Sequence, residues 1–287
     1  MSLGVQSILL STFVFGLINF LVKYLEGVPS VQIVFYRCFV TLLISGTILK
    51  IKGVSFKSSH RKILLLRGLF GGLGLTSYFS AIHYLPLSNA ISLLYIHPIF
   101  TVVLAILINK DPLPKGLLKW LLLGLGAIFS LKFTSPQMTL IGLALGVSGA
   151  FFASLAYNMI RLIRGRVHQD LIIFYFPLVT LPLIAPLAFT SWVDTSVQQT
   201  ALLILIGVLT QVGQILLTKA YTHSPPSEIG HYNYLTCLWA VLTGIIFFGE
   251  QITVFSLSSM ALLIFAVYRA SKIEPPKEAQ STKRKDP

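Results

Sequence analysis

Charge is what this sequence of 287 residues has least of: 11% of its side chains are charged, and only nine are acidic. Soluble domains carry roughly a quarter of their residues as charged groups, so a water-exposed globular fold is excluded. Cysteine is nearly absent as well. Cys38 and Cys237 both fall inside apolar stretches, which argues against a structural disulfide and against a cysteine metal site. No HExxH zinc motif and no GxxxxGK[ST] phosphate loop occurs, which excludes zincin chemistry and ATP-driven pumping through such a loop. The few acids lie mostly at the ends of apolar stretches, so the paired in-span aspartates of an intramembrane protease are missing. A repeated filter or charge ring, as a channel would need, is missing too.

What the chain has in quantity is apolar sequence: 55% hydrophobic residues and a mean hydropathy of +0.81. Crossing a bilayer takes about 20 apolar residues per helix. Ten stretches qualify, at 5–25, 31–49, 63–83, 86–108, 115–131, 138–160, 170–190, 200–219, 226–248 and 252–270. The first reads as a span, not a signal peptide, because no small-residue cleavage site follows it. The expected fold class is an all-α polytopic membrane protein, since a β-barrel would show alternating ten-residue strands instead.

The net charge of +13 is explained by its placement. Lys50, Lys52, Lys57, Arg61 and Lys62 lie between spans two and three, and Lys110, Lys115 and Lys119 follow span four. Arg161, Arg164 and Arg166 follow span six, and Lys272, Lys277, Lys283, Arg284 and Lys285 close the chain. The alternate loops hold only Lys23 and Lys132. This positive-inside bias puts both termini in the cytoplasm, and the basic excess then reports topology, with no nucleic-acid partner implied. Residues 271–287 read as a disordered basic tail.

An internal repeat follows from an offset of 139, as from Pro86 to Pro225. It superimposes "AIHYLPLSNAISLLYIHPIFTVVLAILINKD" on "AYTHSPPSEIGHYNYLTCLWAVLTGIIFFGE" and pairs Ser88 with Ser227, Tyr95 with Tyr234 and Asp111 with Glu250. Carried along the chain, it also pairs Asn19 with Asn158, Phe35–Tyr36 with Phe174–Tyr175 and Gly74 with Gly213. The expected units are a five-helix repeat over 1–131 and a second over 138–270. Five spans is an odd number, so the second copy enters the membrane from the opposite side, as in inverted-repeat transporters with a site near the midplane.

The blocks "LPLSNAISLLYIHPIF" after "YFSAIHY", and "KAYTHSPPSEIGHYNYL…FFGE", resemble the EamA family of the drug/metabolite transporter superfamily over essentially the whole chain. "VFYRCFVTLLIS" and "LLRGLFGGLGLTSYF" are similar to the branch that includes S-adenosylmethionine and organic-anion carriers. The resemblance implies a secondary transporter of a small amphiphilic organic metabolite, working without a cofactor in the cytoplasmic membrane, as a monomer or homodimer. One departure is that the family's acidic "GE" at the end of span four is replaced by "NKD" at Asn109–Asp111. The alternative is an intramembrane enzyme or a channel-like protein built on the same polar residues.

Candidate site residues are the polar groups that lipid would not tolerate. Ser227, His231 and Tyr234 share one helical face, and their repeat partners Ser88, Ser92 and Tyr95 share another. Each stripe lines either a pathway or a helix–helix seam. Gln211 and Gln214 form a further stripe with Thr218; Asn19 lies in line with Ser11 and Phe15, and Asn158 with Ser154. Asn19 and Asn158 either contact substrate or bond to each other across the pseudo-axis. Tyr36, Tyr78 and Tyr175 extend the aromatic set. His97–Pro98 marks a kink, either a hinge or a packing feature. Gly71, Gly72 and Gly74 permit close helix approach. His231 and Glu228 are candidates to carry a coupling proton, or simply to line the path beside an exchanged solute. Arg37 lies within span two with no neighbouring acid there, so it either bonds carbonyls or grips a substrate carboxylate or phosphate. Arg67 is expected to snorkel to the headgroups from its basic end.

Overall fold

In a computed structural model, residues 3–97, 138–163, 166–223, 232–233, 235–251 and 253–271 are described, with scattered positions from 100 to 130. Those residues form nine helices: α1 Leu3–Tyr24, α2 Ser30–Ile51, α3 Arg61–Tyr84, α4 Leu87–Leu94, α5 Leu140–Ile163, α6 Gln169–Thr190, α7 Val197–His223, α8 Leu235–Phe248 and α9 Val254–Ser271. Six of them (α1–α3 and α5–α7) are long and apolar enough to cross a membrane, and α8 and α9 are shorter apolar helices. A helix of 22 residues rises about 33 Å, the thickness of the hydrocarbon layer. The three prolines inside α6, Pro177, Pro182 and Pro186, do not end it. Neighbouring helices can meet the carbonyls that a proline frees in a membrane span.

The repeat is legible in the helix boundaries. α2 runs from 30 to 51 and α6 from 169 to 190, so both ends differ by the offset found in the sequence. α3 and α7 end at Tyr84 and His223, again at that offset. Packing obeys the same operation: α3 packs on α5 as α1 packs on α7, and α3 on α6 as α2 on α7. Single contacts repeat too. Thr41 Oγ1 donates to the Gly207 carbonyl at 3.4 Å, and its equivalent Thr180 Oγ1 donates to the Gly68 carbonyl at 3.2 Å. Both carbonyls are reachable because glycine lets the helices close. A β-carbon at Gly68 would lie 2.6 Å from the Val179 side chain, and one at Gly207 lies as tight against Val40.

The equivalent helices α2 and α6 run antiparallel. Where α2 ends, Lys52 Nζ meets Asp170 Oδ2 at 2.6 Å at the start of α6. Where α2 begins, the Gln32 side chain bonds both ways to the backbone of Val193, just past the end of α6. Two copies whose equivalent helices oppose each other are related by an axis in the membrane plane, which is an inverted repeat.

Candidate functional site

A layer of polar side chains crosses the middle of the bundle, and several of its atoms have no partner. Arg37 Nε, Arg67 Nε, Tyr78 OH, His97 Nδ1, Gln211 Oε1 and Trp239 Nε1 are buried without a hydrogen bond. Burying one such group unpaired costs of order 1–3 kcal/mol. These atoms come from α2, α3, α7, α8 and the segment after α4, and His83 Nε2 near the end of α3 is buried and unpaired as well.

Arg37 enters from α2 and is 8% exposed. Its guanidinium lies 5.1 Å from the centroid of Phe79, and it has no hydrogen bond or ion pair among the described residues. Tyr78 and Cys38 are its electrostatic neighbours. Arg67 enters from α3 and lies 4.7 Å from the centroid of Phe176, the residue that is Arg37's repeat equivalent. The expectation that Arg67 snorkels is corrected here. Its Nη1 lies against Gly71, one turn further from the basic end of α3, so the side chain climbs toward the bundle centre. The ring of Phe176 gives the cation a π-face to lie over, where headgroups would give it phosphate and water.

α4 is short, ending at Leu94 with Tyr95 as its C-cap. Tyr95 OH donates to the Asn233 carbonyl at 2.7 Å, and Thr236 bonds its hydroxyl. Ser92 returns its hydroxyl to the Ser88 carbonyl at 2.8 Å and lies within bonding reach of Cys237. His97 packs against Tyr157 in a tilted arrangement at 4.9 Å between centroids. Arg67, Tyr95 and His97 are half-buried. Gln211 and Gln214 reach the interior from α7, the first buried and the second half-buried.

The remaining candidates are placed differently. The Asn19–Asn158 pair is not formed: Asn158 Nδ2 donates to the carbonyls of Ser154 and Thr101, at 3.0 and 3.2 Å, while Asn19 is buried with no such bond. Tyr36 packs in an aromatic group with Phe35 and Trp192 beyond the end of α6. Tyr175 donates to the Phe56 carbonyl at 3.0 Å, in a separate apolar cluster with Leu49, Leu64 and Leu171 near the start of α6. His231 and Tyr234, Pro98, Glu228 and the tail after Ser271 lie outside the described residues.

Glu250 is the residue that single-sequence reasoning passed over as part of a motif. It is 9% exposed, and its carboxylate accepts from the Leu87 amide and, at 3.1 Å, from Ser88 Oγ. The acid between α8 and α9 of the second repeat thus caps the helix α4 of the first. Gly244 leaves the room it occupies. The pairing of Ser88 with Ser227 and of Asp111 with Glu250 was the available signal, since it sets the acid and the helix start in register. At the same end, Lys23 Nζ donates to the carbonyls of Ile82 and Leu85 and pairs with Glu26. A 290 Å³ cavity lies between Lys23, His83, Pro86 and Glu250.

Comparison with known proteins agrees with this construction. The family model of the EamA-like transporter family matches twice, over residues 2–132 and 140–271. The pseudopaline exporter CntI of Pseudomonas aeruginosa is 29% identical over 94% of this chain and 96% of its own. An S-adenosylmethionine uptake transporter of Rickettsia bellii is 24% identical over 87% and 86% of the two chains. Mouse solute carrier family 35 member G1 is 24% identical over 86% of this chain and 72% of its own. A solved crystal structure superposes with a TM-score of 0.63 over 94% of this chain and 96% of that one, at 16% identity, a likeness of fold. Two repeats of five helices, inverted about the membrane plane and meeting at a buried polar layer, are the build of a multi-pass membrane transporter, and the chain belongs to the EamA-like transporter family.

Proposed function

We propose that the protein is a secondary transporter that moves a small amphiphilic organic metabolite by alternating access, with the repeats over 1–131 and 138–270 as its two moving halves. The observation that carries this reading is the layer of unpaired buried groups at Arg37, Tyr78, His97, Gln211 and Trp239. Groups that stay unbonded in a packed bundle cost stability at all times and are retained where a passing solute bonds them. Hydroxyls and rings beside a cation suit a metabolite with an aromatic or aliphatic body and an acidic group, such as an amino acid, a nucleoside derivative or an organic anion. Asn19, Ser92, Tyr95, Gln214, His231 and Tyr234 complete the proposed lining, and a proton or an exchanged solute supplies the driving force. Basic loops hold both termini in the cytoplasm, and the bacterial inner membrane is the proposed site.

Reconstitution tests this directly. Liposomes holding the full chain should show saturable counterflow of at least one solute from a panel of amino acids, nucleosides, S-adenosylmethionine and carboxylates. Arg37→Lys should weaken apparent affinity more than it lowers yield, because it keeps the charge and loses the planar pair of donors. Absence of saturable movement for the whole panel, or an Arg37→Lys protein with unchanged affinity, would count against the reading.

A further inference from the structure

Among the described residues, the two buried arginines form a pair of cation sites with no carboxylate beside them. The described acids lie elsewhere: Glu26 on Lys23, Asp170 on Lys52, Glu250 on the start of α4, and Asp194 in the segment after α6. Among the described residues, neither Arg37 nor Arg67 makes an ion pair or a hydrogen bond. Each guanidinium instead lies over a ring, Phe79 for one and Phe176 for the other, and each has its Nε unpaired.

A cation near the bilayer centre costs at least about 2.5–3.5 kcal/mol, and two within electrostatic reach of each other cost more. Ring stacking offsets part of this and leaves the in-plane donors of both forks free. Their levels can be read along α3. Arg67 reaches Gly71 and Arg37 reaches Phe79, eight residues apart, which is about 12 Å at 1.5 Å per residue. Arg67 could point to the headgroups and does not, so its inward course is a feature of the site.

We propose that the substrate carries two acidic groups at opposite ends, one received by Arg37 against Phe79 and the other by Arg67 against Phe176. This deepens the transporter reading and rests on it. A solute with one acid would leave one fork unpaired, whereas a diacid of sufficient length neutralises both and bridges the aromatic stretch between them.

Straight-chain α,ω-dicarboxylates from succinate to sebacate, with the monomethyl and dimethyl esters of suberate, are suitable probes. Binding to the purified full chain in detergent is read by thermal shift and by ligand titration. Suberate or sebacate should bind at least about tenfold more tightly than monomethyl suberate, succinate should bind as weakly as the monoester, and the dimethyl ester should be weakest. Arg37→Gln and Arg67→Gln should each abolish the diacid advantage while monoester binding persists at the other arginine. Should either fail to fold, Arg67→Lys replaces it and should shrink the advantage without removing it. Equal binding of diacid and monoester, no binding of any diacid, or an advantage untouched in a folded Arg67 variant overturns the proposal. Counterflow in liposomes separates the two failures. Saturable movement of solutes regardless of acid count sinks the two-acid inference alone, and movement of nothing sinks the transporter reading beneath it.

Discussion

Gly71 and Gly74 lie three residues apart on α3 and have different physical jobs. A β-carbon at Gly71 would meet the end of the Arg67 side chain and the Phe176 ring at 2.8 Å. Both neighbours are side chains that can shift, and alanine gains about 1 kcal/mol of helix propensity over glycine. A β-carbon at Gly74 would meet backbone, the Ala153 nitrogen at 2.9 Å and the Gly149 carbonyl at 3.2 Å, where α3 and α5 touch. Gly71→Ala should therefore leave the melting temperature in detergent within a few degrees of the parent while weakening binding of an acidic solute several-fold. Gly74→Ala should lose roughly 2 kcal/mol or more of stability, since backbone cannot yield without separating the helices. Equal melting temperatures for the two variants would show that close approach at Gly74 is not what holds α3 to α5. Both glycines were legible as small-residue packing positions. That one of them clears a path for an arginine was not, because the ring that Arg67 lies over there, Phe176, comes from α6.

At the scale of elements, α4 is tied at its start to the turn between α8 and α9 of the other repeat. The Glu250 carboxylate meets the Leu87 amide and the Ser88 hydroxyl, where a helix N-terminus favours negative charge by up to about 2 kcal/mol in a buried setting. Gly249, at φ +59°, makes the turn that brings the acid back, in a backbone region that side chains disfavour. Release of this tie is the local event by which α4 could leave α8. Replacing Cys38 and Cys237 with alanine and placing a reporter cysteine at Pro86 gives a readout. Glu250→Ala should raise the labelling rate by an impermeant thiol reagent several-fold, and Glu250→Gln less, because an amide oxygen still accepts from Leu87. Equal rates in all three proteins would show that the tie does not restrain this end of the bundle.

For the whole molecule the inverted repeat makes a quantitative demand. Thr41 and Thr180 occupy equivalent positions and bond equivalent glycine carbonyls. Removing either hydroxyl with valine should cost a similar amount, about 0.6 kcal/mol by the average for hydrogen bonds inside membranes. The two losses should add in the double variant, measured by equilibrium unfolding in mixed micelles. A large asymmetry would mean that one of the two contacts is incidental. Topology has its own check. A cysteine at Ser196 should label from outside intact cells and one at Ser58 should not, with the reverse result overturning the cytoplasmic placement of the basic loops.

The sequence by itself determined the all-helical membrane class, the offset of the two halves and which side chains lipid would penalise. Each of these is a constraint along one dimension. A bilayer demands a fixed run of apolar residues, duplication leaves a fixed spacing, and a polar side chain in lipid is costly wherever it sits. Tertiary structure decided which polar groups are bonded within the fold and which keep unpaired atoms. Asn158 is satisfied by Ser154 and Thr101, and Tyr175 by a loop carbonyl, whereas Tyr78, Gln211 and the two arginines keep unpaired atoms. A hydrogen-bond partner is set by how two helices cross, often more than a hundred residues apart in the chain, and no spacing rule reaches that far. The direction of Arg67 is the clearest case. Its position allows either the headgroups or the centre, and the ring it lies over at the centre, Phe176, is brought alongside by α6.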